Sequence, residues 1–528
     1  MRFAISVAGA AALAALAFPA DAKVLTYCAD AAPQGFDPAL YFDGATLDAS
    51  AEALYDRLVE FGPGSTVLLP GLAQSWDVTP DGKTYTFHLR DNVAFSSTAS
   101  FTPTRPLNAD DVVFSLDRQV NKKNPYYAYA SGGWPYYSAM GLGTLVKSVV
   151  KVDPATVRIT LSRRDPSILG DLAMGFASIV SKEYADALSA AKTPQLLDQQ
   201  PVGTGPFVLA GNENGKLTTT ANAQYWGGAP KVDLTIVPVP NAGDRLAKLK
   251  SGDCDVIAQP DAASLKDAAA DTSLTVASAP AADVTVLAFN TTIPPFDNPK
   301  VRQALGTAID RQAIVDNVYG GAGVVATGIL PADVAGAAGE ATSDAYNVDS
   351  AKQLLAAAGV SNLSLKILAT KEARDYNPDL AATANEIVGD LAKVGVNATV
   401  ATPEIFGDYL RQSADKKREA AVVIGWSSEN GDAASFLSLL LACDAVGKSN
   451  RSEWCTADFD KAIAAARAAP DLATLVTSLD AAQHIVAIDV PVAVLTHSLV
   501  AVPMKKAVTG VVADPLGRHN FAKADIAG

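Results

Sequence analysis

The chain has 528 residues, 49% of them hydrophobic, with 42 Lys and Arg against 56 Asp and Glu and only four His and four Cys. That length implies roughly three domains of ordinary size with sizeable cores, which excludes disorder, a coiled coil and a disulfide-stapled miniprotein. A net charge of −14 excludes nucleic acid as a partner, because phosphate binding needs a concentrated basic surface, and four scattered His offer little for a metal enzyme.

Residues 1–22 read as an export signal that is removed. Arg2 supplies a positive start, Ile5 to Leu16 is apolar, and Ala20-Asp21-Ala22 is a small-x-small pattern, so cleavage is expected before Lys23. Losing Arg2 and Asp21 leaves the net charge at −14. Leu25-Thr26-Tyr27-Cys28 looks like a lipoprotein box, but bulky Tyr27 and the charges of Asp21 and Lys23 argue against a lipid anchor. Export also makes disulfides available. Cys28, Cys254, Cys443 and Cys455 allow three pairings. A short polar loop makes Cys443 with Cys455 the simplest guess, leaving Cys28 with Cys254. A zinc site is the rival, unsupported by any CxxC pair or clustered His.

The first third is strand-rich. After the turn signal Pro80-Asp81-Gly82, the run Thr84 to Arg90 alternates, with Tyr85, Phe87 and Leu89 on one face and His88 on the opposite, solvated one. Asn108-Ala109-Asp110-Asp111 is a helix start, where acidic residues complement the dipole. Gly203-Thr204-Gly205-Pro206 lacks the Lys and spacing of a phosphate loop and reads as a turn or hinge. From about residue 284 helices and strands alternate. Asn298-Pro299 opens a helix whose Val301, Ala304, Leu305, Ala308 and Ile309 share a face, and Gly320-Gly321 ends the next one. A helix near 349–358, a strand near 363–369, a helix near 379–394 and strands near 396–401 and 420–426 follow. Leu472, Leu475, Leu479, Ala482 and Val486 repeat at helical spacing. Ile485 to Met504 is the most apolar stretch, but Asp489, Pro491, His497 and Pro503 make it a helix end and a buried strand, not a membrane span. The chain shows no internal repeat.

In open α/β sheets, ligands sit beyond the carboxyl ends of strands. Arg374 and Tyr376 follow the strand near 363–369, while Trp426 and Glu429 follow the one near 420–426. One cleft bounded by both loops presents a cation, an anion and two aromatic rings, which suits a zwitterion such as an extended dipeptide of roughly 7 Å. Charges of this kind also occur on any solvated loop, and the residues alone do not choose.

Blocks spread along the whole mature chain choose. They include Leu54-Tyr55-Asp56-Arg57-Leu58, Pro70-Gly71-Leu72-Ala73, Asp81-Gly82-Lys83-Thr84-Tyr85-Thr86-Phe87-His88-Leu89-Arg90, Leu107-Asn108-Ala109-Asp110-Asp111-Val112-Val113-Phe114, Gly203-Thr204-Gly205-Pro206-Phe207, Lys300-Val301-Arg302-Gln303-Ala304-Leu305 and Asp514-Pro515-Leu516-Gly517-Arg518-His519. In this order they resemble the peptide and nickel solute-binding proteins of ABC importers, and among them the dipeptide binders.

The resemblance implies an α/β, two-lobed periplasmic binding protein clamp of three domains with the cleft between the lobes. Domain I comprises 23–56, 202–282 and 503–528, domain II is 57–201, and domain III is 283–502. It implies the bridges Cys28–Cys254 and Cys443–Cys455. It implies a periplasmic protein, neither enzyme nor cofactor carrier, that captures dipeptides or short peptides and hands them to an ABC permease. A monomer is expected, and a chemoreceptor is a compatible further partner. Arg374 falls where relatives hold the ligand carboxylate. Glu429 falls where they hold the ammonium with Asp, one methylene shorter, and Asp432 is a substitute. Phe42-Asp43-Gly44 stands where relatives present small hydroxylated residues, which makes Asp43 a second ammonium partner. Backbone near Gly44 and Gly425–Ser427 is expected to pair with the ligand as an added strand. Alternatives are the same clamp loaded with a longer or modified peptide, haem or a metal chelate. A secreted hydrolase needs a nucleophile–base pair, and His88, His484, His497 and His519 show no recognisable pairing.

Overall fold

The structure is a computed structural model and describes residues 23–130, 133–337, 345–419, 421–469 and 471–527. The export signal expected at 1–22 lies outside the described residues. Local chemistry sets the elements where the residues indicated. Asn298 caps a helix Pro299–Thr307 with proline in its first turn, and Val301, Ala304 and Leu305 are fully buried on it. Asn108 and Asp111 form a reciprocal capping box on the helix Ala109–Asp117. The strand Thr84–Leu89 buries Tyr85, Phe87 and Leu89, while His88 faces out and pairs with Asp77 at 2.8 Å. In the helix Leu472–Asp489 the expected stripe is buried from Leu479 onward, but Leu472 is 53% exposed because the first turn stands clear of the core.

A four-stranded antiparallel sheet runs Ala73–Val78, Thr84–Leu89, Thr156–Leu161, Val146–Asp153. The larger sheet is organised by one long strand, Val492–Lys505. Its first half pairs antiparallel with Asp283–Ala288, and its second half with Leu274–Pro280, from Leu499 opposite Pro280 to Lys505 opposite Leu274. Outward from Asp283–Ala288 lie Ala421–Ser427, Ser364–Leu368 and Asn397–Ala401. On the other side Val256–Ile257, Lys23–Ala29, Val232–Pro238, Lys216–Ala221 and Phe207–Glu213 continue the sheet.

The buried apolar residues divide accordingly. One core gathers residues between Leu25 and Ala258 with the tail from Val502 to Ala524, while two others gather residues between Ala282 and Leu495. The chain therefore passes between two lobes at Ala281–Ala282 and again along the long strand. Cys28 is bonded to Cys254 and Cys443 to Cys455, with Cα separations of 5.9 and 4.7 Å. These are the pairings the resemblance implied, and they leave no thiolate for the zinc alternative. Gly203 and Gly205 lie against the Leu54 backbone, and Thr204 donates to Asp56 at 2.7 Å, so this segment is a packed turn.

Candidate ligand-binding cleft

A cavity of about 590 Å³ opens where the two lobes face each other beside the chain crossings. Its second-lobe wall is built by the ends of two strands. After Ser364–Leu368, a tight turn closes with Arg374 and Asn377 exchanging backbone hydrogen bonds of 2.9 and 3.0 Å. The turn is pinned from beneath: Thr285 Oγ1 and the Tyr319 hydroxyl both donate to the Tyr376 carbonyl, at 3.0 and 2.8 Å. Buried Asn377 donates to Thr383 at 3.0 Å and ties the turn to the next helix. The turn presents Asp375 to the cavity. Tyr376 is buried with its ring against Gly425, where any larger residue would meet both that ring and the Val284 carbonyl. Arg374 stands behind the cavity lining. Its guanidinium lies 4.7 Å over the Phe406 ring, and its Nε is buried without a hydrogen-bond partner. An orphaned donor on a cation is costly unless an acceptor arrives.

The strand Ala421–Ser427 delivers the other group. Its edge towards Ser364–Leu368 is paired only at Ala421 and Val422, so Gly425, Trp426 and Ser427 have no strand neighbour on that side. Ser427, Ser428 and Glu429 line the cavity; Trp426, 36% exposed, does not. The Ser428 N–H donates to the Ala282 carbonyl at 2.7 Å, which ties this loop to the chain crossing. Desolvation between the lobes raises the Glu429 pKa, the Tyr136 hydroxyl opposes the rise by hydrogen bonding, and the Asp375 charge adds to it.

The two other carboxylates considered as ammonium partners have structural work. Asp432 caps the helix Ala433–Leu441, accepting from the N–H groups of Ala434 and Ser435 and from the Ser435 hydroxyl. Asp43 caps the short helix Gly44–Leu47, accepting from Thr46 N–H at 2.9 Å and from Gln34 at 2.8 Å. Neither lines the cavity, whereas Phe42 and Gly44, on either side of Asp43, do. Phe42 is 67% exposed there, edge-on to Tyr136 at 6.4 Å, and Tyr136 stacks on Phe176 at 6.0 Å. The first-lobe wall thus presents aromatic rings, and the second-lobe wall presents Asp283, Asp375 and Glu429.

Residue patterns missed several members of this site. Asp283, the first residue after the crossing, lines the cavity while accepting from the Ser498 N–H at 2.8 Å and from its hydroxyl. Burial pushes its carboxyl up to about 6, against the Ser498 hydrogen bonds and with a push from Asp375. His519 has a carboxylate partner that the sequence did not reveal: its Nδ1 lies 2.8 Å from Asp48, which also accepts from the Tyr27 hydroxyl at 3.0 Å. Burial lowers the His519 pKa, but Asp48 outweighs it and the net shift is upward. Both groups line the cavity. The tail block Asp514 to His519 entered the sequence analysis only through the family resemblance, which did not place it in the cleft.

Direct contacts also join the lobes around the cavity. Asn430 donates to Asp171 at 2.8 Å, Ala335 N–H to the Thr66 hydroxyl at 2.6 Å, and Arg164 to the Ala468 carbonyl at 2.8 Å. Among the described residues, no group of three or more His, Cys, Asp or Glu is placed to hold a metal ion. No described helix is long and apolar enough to cross a membrane.

Residues 67–448 match the family described as bacterial extracellular solute-binding proteins, family 5 Middle. The chain is 42% identical over 509 residues to the dipeptide-binding protein of Escherichia coli (strain K12), covering 96% of this chain and 95% of that relative. The solved structure of HbpA2 from Haemophilus parasuis superposes with a TM-score of 0.91 at 39% identity, covering 96% of this chain and 100% of that one. A dipeptide-binding protein from Pseudoalteromonas sp. SM9913 in complex with Met-Leu gives a TM-score of 0.68 at 34% identity, with the same coverage of each chain.

Proposed function

The chain belongs to the bacterial extracellular solute-binding proteins of family 5, and from that premise we propose that it captures a dipeptide or short peptide between its lobes in the periplasm and delivers it to an ABC importer. The observation that supports this reading is that neighbouring strand ends of one cleft wall carry an arginine with an orphaned buried donor, just behind the cavity lining, and a carboxylate within the lining. Arg374 takes the ligand carboxylate. Glu429 takes its ammonium, with the Tyr136 hydroxyl steadying the carboxylate meanwhile. The ligand backbone lies along the unpaired edge of Gly425–Ser427 as an added strand, its hydrogen bonds indifferent to side-chain identity. Asp43 and Asp432, already engaged as helix caps, hold the shape of the walls. Closure rotates the lobes about Ala281–Ala282 and the long strand, and it removes the charge pairs from water.

The kinship with a protein named for dipeptide binding, and with another seen holding Met-Leu, supports the same reading. Titration calorimetry with a dipeptide and with its N-acetylated form tests it. Acetylation removes the charge that Glu429 recognises, so binding of the acetylated form is expected to be lost. Equal affinity for the two forms contradicts the assignment of Glu429.

A further inference from the structure

A second polar cluster lies near Tyr409, apart from the residues that line the cavity. Arg418 is only 7% exposed; its Nη1 reaches the Asp415 carbonyl at 3.3 Å and Glu453 at a long 3.6 Å. Its Nε and Nη2 are buried with no hydrogen-bond partner, and Nε and Nη1 of half-buried Arg451 are in the same condition. Asn290 and Thr291 hold the two segments side by side. Asn290 Nδ2 donates to the carbonyls of Lys416 and Arg418 at 3.1 and 2.8 Å, while Thr291 N–H donates to the Ser452 carbonyl at 2.9 Å. Glu453, 6% exposed, supplies the buried carboxylate of the cluster from a left-handed backbone with φ 56°. Non-glycine residues adopt that conformation at a cost, and such strain concentrates where a site must be shaped.

The charges do not balance. Two guanidinium groups, Arg418 buried and Arg451 half-buried, leave four nitrogens without a hydrogen-bond partner, while the buried Glu453 carboxylate touches Arg418 alone and Asp415 adds only a weaker attraction to it. Buried cations need a counter-charge, and a guanidinium fork fits the paired oxygens of an oxyanion better than any other partner. We propose that Arg418 and Arg451 form an oxyanion site, in which a small phosphate or carboxylate group bridges the unpartnered nitrogens of both side chains. Burial and the Arg451 charge act together against the Arg418 guanidinium and bring its pKa down to about 10, although Glu453 opposes them. Burial lowers Arg451 as well. Bound anion reverses both penalties, so occupancy stabilises the loop that carries Cys443–Cys455 against the sheet.

The test is thermal unfolding of the intact mature protein in inorganic phosphate, against sodium chloride at matched ionic strength. At phosphate about 100 times its Kd, Tm is expected to rise by roughly 2–5 °C over the chloride control. Arg451→Met, half-exposed and hence tolerant of substitution, is expected to fold and to lose that rise, whereas Arg451→Lys keeps part of it. Displacement of phosphate by Ala-Glu but not by Ala-Ala would place the oxyanion on the captured peptide, and no displacement by either would make it a free ion. Equal Tm in phosphate and chloride, or an unchanged rise in Arg451→Met, overturns the proposal.

Discussion

In the proposed binding mode two side chains, Arg374 and Glu429, recognise the ends of the ligand. Arg374 keeps a buried Nε without a partner, and Glu429 holds a carboxylate whose pKa desolvation has raised. Arg374→Ala and Glu429→Ala are each expected to cost about 2–5 kcal/mol of dipeptide affinity, because truncation leaves the opposite ligand charge buried and unpaired. Asp111→Ala leaves affinity unchanged in the same titration. It lowers stability by about 1–3 kcal/mol, because buried Asp111 closes the capping box and receives Arg105 at 2.7 Å. The raised pKa of Glu429 also sets the pH response. As pH falls, Glu429 takes a proton before an ordinary glutamate would and loses the ammonium, so affinity drops; Glu429→Gln binds weakly but without that pH dependence. That Arg374 and Glu429 each follow a strand was legible in the sequence; that Arg374 stands behind the cavity lining was not. Nor was the pairing of Asp48 with His519, since the partners stand 471 positions apart and meet only through the fold.

At the scale of elements, the strand Ala421–Ser427 does two jobs at once. Its start is locked into the sheet and its end has no strand neighbour on one edge, where Tyr376 covers Gly425 and hydrogen-bonds its backbone. Gly425→Ala is expected to displace Tyr376 or the strand Asp283–Ala288, costing about 1–3 kcal/mol in denaturant unfolding and weakening dipeptide binding together. A loss of stability with intact affinity would show that this edge plays no part in recognition. The helix and strand order after residue 284 was readable, because buried parallel strands and amphipathic helices have distinct periods. The division of the long strand Val492–Lys505 between two lobes was not. The polar stretch Thr496-His497-Ser498 sits where pairing passes from one partner strand to the other, but such a stretch reads equally as an ordinary interruption of a buried strand. Acid–cap patterns at Asp43 and Asp432 were ambiguous for a related reason: a capping carboxylate and a ligand carboxylate have the same sequence context.

For the whole molecule, the negative charge and the clamp architecture meet in the carboxylates buried between the lobes. Burial pushes Asp171 up to about 7 and Asp283 up to about 6. Between roughly pH 4 and pH 7 these two carboxyls keep protons in the folded chain that they have released in the unfolded one, so their contribution to stability falls as pH rises through that window. Asp171→Asn is expected to flatten the fall in Tm, while a profile identical to the unsubstituted protein would contradict the burial of that charge. Composition could not reveal this, because −14 counts charges without saying which of them lose water. The family and its two-lobed form were legible from ordered blocks along the chain; the ligand was legible only as a pattern of ends. Mass spectrometry of the ligand that co-purifies with the protein from its native host tests that pattern most directly. The account predicts a dipeptide or short peptide with a free amino terminus, released on unfolding, and recovery of haem, a metal chelate or a blocked peptide in its place would contradict it.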